Sequence, residues 1–224
     1  LSLAGAQDKL PVVLAADGVC IGLPLNDSPS THILKPPIAG IDGSVFNEAF
    51  CMAVAGALKL DVARTQIPAN ADGSEQRHYL LVERYDRHAL APEGAAPASG
   101  RPGATVALGQ RLHQEDFCQA LGIVPEHKYQ NEGGPGLAQA FALLRSATRP
   151  SAPHTLKLLD YVVFNALTGN HDAHGKNFSL LYTPAGTVLA PLYDALCTAV
   201  YPTLTDKMAM KIDDVENKAS QAVD

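Results

Sequence analysis

Apolar residues along this chain come first in short runs and later at helical spacing. Residues 10–15 form a short apolar run, followed by the turn signal Asp17-Gly18. Residues 31–35 predict a strand stopped by Pro36-Pro37. Residues 45–58 predict a helix with Ser44 as its N-cap. That helix is apolar nearly all round, so it packs on more than one side. Its single acid, Glu48, then either points to solvent or pairs with a cation. Residues 79–83 predict another strand. Between 88 and 110 Ala, Pro, Gly and Ser dominate, which predicts a flexible connection.

After that connection helices prevail. Residues 114–121 open with acids, which suits a positive helix N-terminus. Residues 136–146 predict a second helix. Residues 155–168 predict a third, apolar at Leu156, Leu159, Val163 and Leu167, with Gly169 in the stop position. Two short strands, 178–182 and 188–192, follow and are joined through Pro184-Ala185-Gly186. The fold class expected is α+β and bilobal. A strand-rich lobe over 1–87 and a mostly helical lobe over 111–224 would flank a cleft, with 88–110 between them.

Composition narrows the partners. The longest nearly apolar stretch is too short to span a bilayer. A net charge of -6 argues against nonspecific nucleic-acid binding by this chain alone. DNA contact through a basic partner stays open. There is no signal-peptide pattern, and a chain starting at Leu1 rather than Met reads as a fragment. The four Cys residues are scattered without a CxxC pair, as expected of reduced thiols in a cytoplasmic protein.

The chemistry concentrates in Asn170-His171-Asp172-Ala173-His174-Gly175-Lys176-Asn177. An acid is followed five residues later by an amide, and a second acid, Asp194, follows a hairpin. Phosphoryl transfer from ATP uses such a set: one carboxylate for the nucleophile's proton, an amide oxygen and a second carboxylate for magnesium. Asp194 lies between two apolar runs, so partial burial is expected, and a buried carboxylate needs a cation. Lys35 at a strand end and Glu48 on the next helix match, in order and element type, the kinase pair that holds nucleotide phosphates. Glu83 and Tyr85 end an apolar strand near the lobe boundary, where backbone groups could meet an adenine edge. Ala4-Gly5-Ala6-Gln7-Asp8-Lys9 is a small-residue loop whose backbone could approach phosphates. His171 and His174 allow a rival reading, direct metal binding by imidazole. No supporting ligand motif accompanies them, and His174 fits better as a loop-orienting or phosphate-touching group.

Taken in order, these residues resemble the HipA family of bacterial toxin–antitoxin serine/threonine kinases. The resemblance is carried by segments that run almost the length of the chain. They are residues 2–9, 31–35, Asn47-Glu48, 82–87, 114–119, Lys128-Tyr129, Gly133-Gly134-Pro135-Gly136, 172–179 and Tyr193-Asp194. It implies a kinase-like fold using ATP and Mg2+. Asp172 would be the catalytic base, with Asn177 and Asp194 as metal ligands. Lys35, Glu83, Tyr85, His174 and Gln7 would border the nucleotide. Ser2 would be an autophosphorylation site that switches the enzyme off. The implied partners are a DNA-binding antitoxin and a translation-related protein substrate such as an aminoacyl-tRNA synthetase. Against that resemblance, the family's usual N-terminal subdomain is expected to be absent from this stretch, and its C-terminal helices to be missing unless the chain is truncated. A small-molecule or lipid kinase with the same catalytic core is the alternative, and a silent binding module of the same fold a third reading.

Overall fold

A computed structural model describes residues 8–15, 17–25, 29–68, 78–87 and 111–212. Ser2, Gln7 and the whole 88–110 segment lie outside the described residues. The strands β1 (Leu10–Leu14), β2 (Ile21–Gly22), β3 (His32–Lys35), β4 (Thr65–Gln66) and β5 (Leu80–Glu83) form an antiparallel five-stranded sheet in the order β2-β1-β3-β5-β4. A second, three-stranded antiparallel sheet joins β6 (His113–Asp116), β7 (Ser179–Thr183) and β8 (Gly186–Leu189) in chain order. Helix α1 (Ser44–Ala57) packs on the first sheet; α2 (Phe117–Ala120), α3 (Leu137–Ala147) and α4 (Ser151–Leu167) belong to the second half. The fold is therefore mixed α and β with two antiparallel sheets. Among the described residues no helix is long and apolar enough to cross a membrane.

Both halves share one hydrophobic cluster, which runs from Val45, Met52 and Leu80 to Phe117, Leu158 and Leu180. The halves are also stitched by backbone. Val62 bridges Leu192 in parallel, Ala63 N donates to Leu192 O at 2.8 Å, and Leu192 N donates to Asp61 O at 2.8 Å. The residues flanking the Ala/Pro/Gly-rich stretch pair with each other, Arg87 with Arg111.

Several local expectations are displaced. Ser44 is the first residue of α1 rather than its cap. Gly43 takes that place with φ 69°, and the Ser44 hydroxyl accepts from Ile38 N at 2.9 Å. The helix expected over 114–121 is a strand, β6, followed by the single turn α2. Edge pairing with β7 claims Gln114 and Glu115, and Asp116 becomes the N-cap, in a reciprocal capping box with Gln119. On α4 the expected apolar face is the exposed one: Leu156, Leu159, Val163 and Leu167 are 46–82 % accessible. Leu158, Tyr161, Val162 and Phe164 are buried instead. A helix carrying apolar residues on two faces does not announce which one meets the core. Of the thiols, Cys51 and Cys118 are buried, Cys20 is exposed and Cys197 is half-buried; all four are free.

The turn after α4 delivers the 170–177 loop. Gly169 has φ +69°, and a Cβ there would lie 2.7 Å from Ala199 Cβ, so both conformation and proximity require glycine. Asn170 is buried and donates to Asn165 Oδ1 at 2.8 Å, while its own Oδ1 accepts from Asp172 N at 3.3 Å.

Candidate functional site

A cavity of about 540 Å³ lies between the two sheets. Lys35, Glu83, Tyr85, Asp172, His174, Asn177 and Asp194 all line it, as does Glu48. These residues reach one place, although they come from β3, α1, the end of β5, the loop after α4 and the segment after β8; His171, singled out with His174, is not among the lining residues.

One wall is an ion cluster. Lys35 Nζ donates to both Glu48 oxygens at 2.5 and 2.6 Å and to Asp194 Oδ1 at 2.6 Å. Lys35 and Glu48 are almost fully buried, while the Asp194 side chain keeps 23 % exposure. Lys9 reaches Asp194 Oδ2 at 2.8 Å. Burial works against the charged form of each group, and the neighbours decide the outcome. Lys35 titrates above its ordinary range because Asp194 and Glu48 outweigh desolvation. Asp194 is held well below the carboxylate range by Lys35 and Lys9, which outweigh its burial. The Glu48 carboxyl is pushed up by burial despite Lys35.

Asp194 has φ 56°, a left-handed conformation that non-glycine residues seldom take. It is imposed from both sides. The Tyr193 hydroxyl donates to Lys176 O at 2.8 Å and lies 2.6 Å from Ser179 Oγ. On the other side Asn47 accepts from Cys197 N at 2.9 Å and donates to Cys197 O at 2.9 Å. Asn47 precedes Glu48, so the same residue registers α1 against the strand of chain that carries Asp194.

The opposite wall carries Asp172. Burial pushes its carboxyl up, and Asp194 adds to the rise; the Tyr129 hydroxyl and Lys128 pull the other way. Tyr129 donates to Asp172 Oδ1 at 2.7 Å. His174 is buried and titrates at about 4, mainly through burial, with Lys128 adding to the depression. It is therefore a neutral imidazole at ordinary pH. Asn177 Oδ1 accepts from His174 N at 3.1 Å, which closes the loop around the cavity. Gln114 Oε1 and His174 Nδ1 are buried atoms with no hydrogen-bond partner among the described residues, and both side chains line the cavity.

At the far end Glu83 and Tyr85 behave differently. The Glu83 side chain is 48 % exposed and its ion-pair partner among the described residues is Arg64, at 3.9 Å, while its backbone N–H donates to Arg64 O at 2.8 Å. Tyr85 lies with its ring 6.0 Å from that of Tyr193, inside the apolar part of the cavity. Next to it Asp86 is buried and gripped by Arg84, whose Nε and Nη2 donate at 2.9 and 2.7 Å.

Sequence reasoning placed Lys9, Asn47, Gln114, Lys128 and Tyr129 only inside matched segments and assigned them no role. Nothing local marks them. Lys128 and Tyr129 sit among turn residues, and their importance rests on contacts more than 40 positions away in the chain.

Solved structures with this fold include kinases. In a complex of Shewanella oneidensis HipA with HipB and its operator DNA, the HipA chain superposes with a TM-score of 0.75 at 32 % identity, over 96 % of this chain and 48 % of that one. The Helicobacter pylori proinflammatory kinase CtkA matches at a TM-score of 0.51 and 15 % identity, over 80 % of this chain and 55 % of that one, a likeness of fold alone. The sequence model of the HipA-like C-terminal domain matches residues 1–223, and the chain belongs to that family. Among curated relatives, Y4mE of Sinorhizobium fredii, named as a candidate kinase, is 51 % identical over 95 % of this chain and 46 % of its own length. The serine/threonine-protein kinase toxin HipA of Shewanella oneidensis is 34 % identical over 96 % of this chain and 47 % of its own. The chain spans about half the length of the curated relatives it matches.

Proposed function

We propose that this chain is the catalytic part of an ATP-dependent serine/threonine protein kinase with a bilobal, protein-kinase-like fold, acting as the toxin of a toxin–antitoxin pair in the cytoplasm. The observation that carries the reading is the convergence on one cavity of a buried Lys35–Glu48 pair, Asp194 and the Asp172–Asn177 loop. Relatives named as kinases support it.

In this reading Lys35 holds nucleotide phosphates and Glu48 keeps its ammonium in place. Backbone groups around Glu83 meet the adenine edge, and Tyr85 forms an apolar wall beside it. The acceptor hydroxyl attacks the γ-phosphorus, its proton passes to Asp172, and the bond to the β–γ bridging oxygen breaks to release ADP. A raised carboxyl suits proton acceptance, because the ideal catalytic pKa lies near working pH. His174, neutral and wedged beside Tyr129, orients the loop or donates to phosphate. Gln7 belongs to the small-residue loop expected over the phosphates.

The donor set fits Mg2+. Asp194 and Asn177 offer hard oxygen ligands, and Mg2+ needs only one or two carboxylates when phosphates and waters complete its shell. Among the described residues there is no cluster of three His, Cys, Asp or Glu that could hold a metal by itself. The Lys9 ammonium donates to Asp194 Oδ2 at 2.8 Å, which supports a cation beside that carboxylate. When bound, Mg2+ supplies charge neutralisation for the phosphates.

The HipA–HipB–DNA complex of the Shewanella relative motivates a DNA-binding antitoxin as partner, with a translation-related protein as substrate. A phosphate on Ser2 would add about -1.5 to -2 charges beside the nucleotide loop and lower ATP affinity. The test is incubation of the chain with γ-labelled ATP and a cell lysate. A labelled protein is expected. A labelled metabolite or lipid would redirect the reading to a small-molecule or lipid kinase, and no label to a silent binding module.

A further inference from the structure

The Lys128-Tyr129 and Gly133-Gly134-Pro135-Gly136 segments have no part in nucleotide or metal binding as described above, yet they press against the 172–177 loop. We propose that Tyr129 is a positioning residue for Asp172: its hydroxyl holds Oδ1, fixes the rotation of the carboxyl group and leaves Oδ2 for the acceptor hydroxyl. The proposal rests on the kinase reading for its catalytic meaning, and on geometry alone for the contact itself.

The contact is a 2.7 Å hydrogen bond between a half-buried phenol and a half-buried carboxylate. Among the described residues Oδ2 has no hydrogen-bond partner, and Asp172 lines the cavity. A carboxylate with one oxygen tied and one open has a single productive orientation.

The phenol is itself confined. Its ring meets His174 edge-on at 5.2 Å, and the Lys128 ammonium lies 5.6 Å from its centroid. Its carbonyl accepts from Glu132 N at 2.9 Å and Gly134 N at 2.8 Å. The next residue is anchored on the far side, where Gln130 N donates to Ala209 O at 3.1 Å. The glycine run explains how the segment comes so close. A Cβ on Gly134 would stand 2.6 Å from His127 O and from Lys128 C, backbone atoms that cannot turn away. Only glycine lets residues 127–129 fold back over 133–134. The next turn then seats Pro135 against Gly175, where a Cβ would be 2.5 Å from Pro135 Cγ. The motif is thus a clamp whose product is the position of one hydroxyl.

The chemistry gives a distinctive signature. A donor to the ionised carboxylate favours that form, so its loss raises the Asp172 carboxyl further. The other groups facing Asp172 are Lys128, which favours the charged form, and Asp194, which opposes it. Neither is altered by Tyr129→Phe.

The experiment compares wild type with Tyr129→Phe in two ways. The first follows the Asp172 carboxyl by carbon-13 NMR in Asp-labelled protein without nucleotide, assigned with Asp172→Asn. Its midpoint is expected to move to higher pH in Tyr129→Phe, and an unmoved midpoint overturns the proposal whatever the protein's activity. The second measures phosphotransfer from ATP across pH. The expected result is a kcat lower by roughly 10–100-fold, the range typical when an orienting partner of a functional ligand is removed. The KM for ATP stays unchanged, and the acid limb of kcat moves up. An equal loss at every pH, or a KM effect alone, overturns the positioning role. A wild type that transfers no phosphate sinks the kinase reading, and the NMR midpoint then decides the contact by itself. Gly134→Ala, checked for folding by circular dichroism, is expected to reproduce the Tyr129→Phe midpoint with the phenol present; a wild-type midpoint in folded Gly134→Ala means that the glycine turn does not place the hydroxyl.

Discussion

Two aspartates share one cavity and are treated in opposite ways. Asp194 is drawn down by two ammonium groups and stays ionised. Asp172 is pushed up by burial, with only a phenol and a more distant lysine in its favour. Side chains of one type, given different surroundings, take different work. A carboxylate locked in its charged form can hold cations; one lifted towards neutrality can take a proton. Pairs of titratable groups whose environments pull their pKa values apart mark acid–base and charge-holding roles in one site. The difference is built by the chain around them. β3 and α1 bring Lys35 and Glu48 to Asp194, whereas Asp172, on the loop after α4, has the Tyr129 hydroxyl at 2.7 Å and the charge of Lys128.

The sharpest way to break this contrast is to remove the cation. Lys35→Met leaves Glu48 buried without its counter-charge, and breaking a buried pair costs about 3–5 kcal/mol. Thermal unfolding should show that loss, and Lys35→Met/Glu48→Leu should regain most of it. A single substitution that leaves stability unchanged would mean that Lys35 and Glu48 do not form a buried ion pair. Next comes Asp172→Asn. It should lower phosphotransfer by about 10²–10⁴ while nucleotide binding persists. Because a buried carboxylate with a raised pKa opposes folding at neutral pH, the same substitution should not reduce the unfolding temperature. A near wild-type rate would end its role as base.

His174 sharpens the comparison from the other side, as a buried group kept neutral. Its folded pKa, about 4, lies below the ordinary 6.5. Between those values the unfolded chain binds a proton that the folded one refuses, so stability rises with pH across the window. Acidification from pH 6.5 to 4 should therefore cost on the order of 3 kcal/mol from this group. Chemical denaturation of wild type and His174→Gln over that range checks it, the variant having the flatter profile. Asp194→Ala should remove the dependence of ATP affinity on Mg2+, read by calorimetry with and without the ion. The smallest effect belongs to a third acid of the cavity. The Glu83 side chain is half exposed, so Glu83→Gln should change stability and ATP affinity by no more than about 0.5 kcal/mol.

Much of the site was legible along the chain because its parts are local. The Asp172–Asn177 spacing, the strand end at Lys35, the lone acid on α1 and the stop at Gly169 each follow from residue type and short-range geometry. β1, β3, β5, α1 and α3 follow from periodicity and turn residues in the same way, to within a residue or two. The misreadings have a common cause. β6 has polar residues throughout and became a strand because β7 offered an edge. On α4 the stripe at Leu156, Leu159, Val163 and Leu167 has helical spacing as good as that of the buried face.

The sequence by itself determined which chemistry this chain could hold, since residue identity and short spacing settle where a carboxylate, an amide or a lysine can stand on its own element. Only the tertiary structure decided what each one does. Lys35 meets Asp194 across 159 positions and Tyr129 meets Asp172 across 43. The charge state of a buried group depends on neighbours and burial that exist only once the chain has folded.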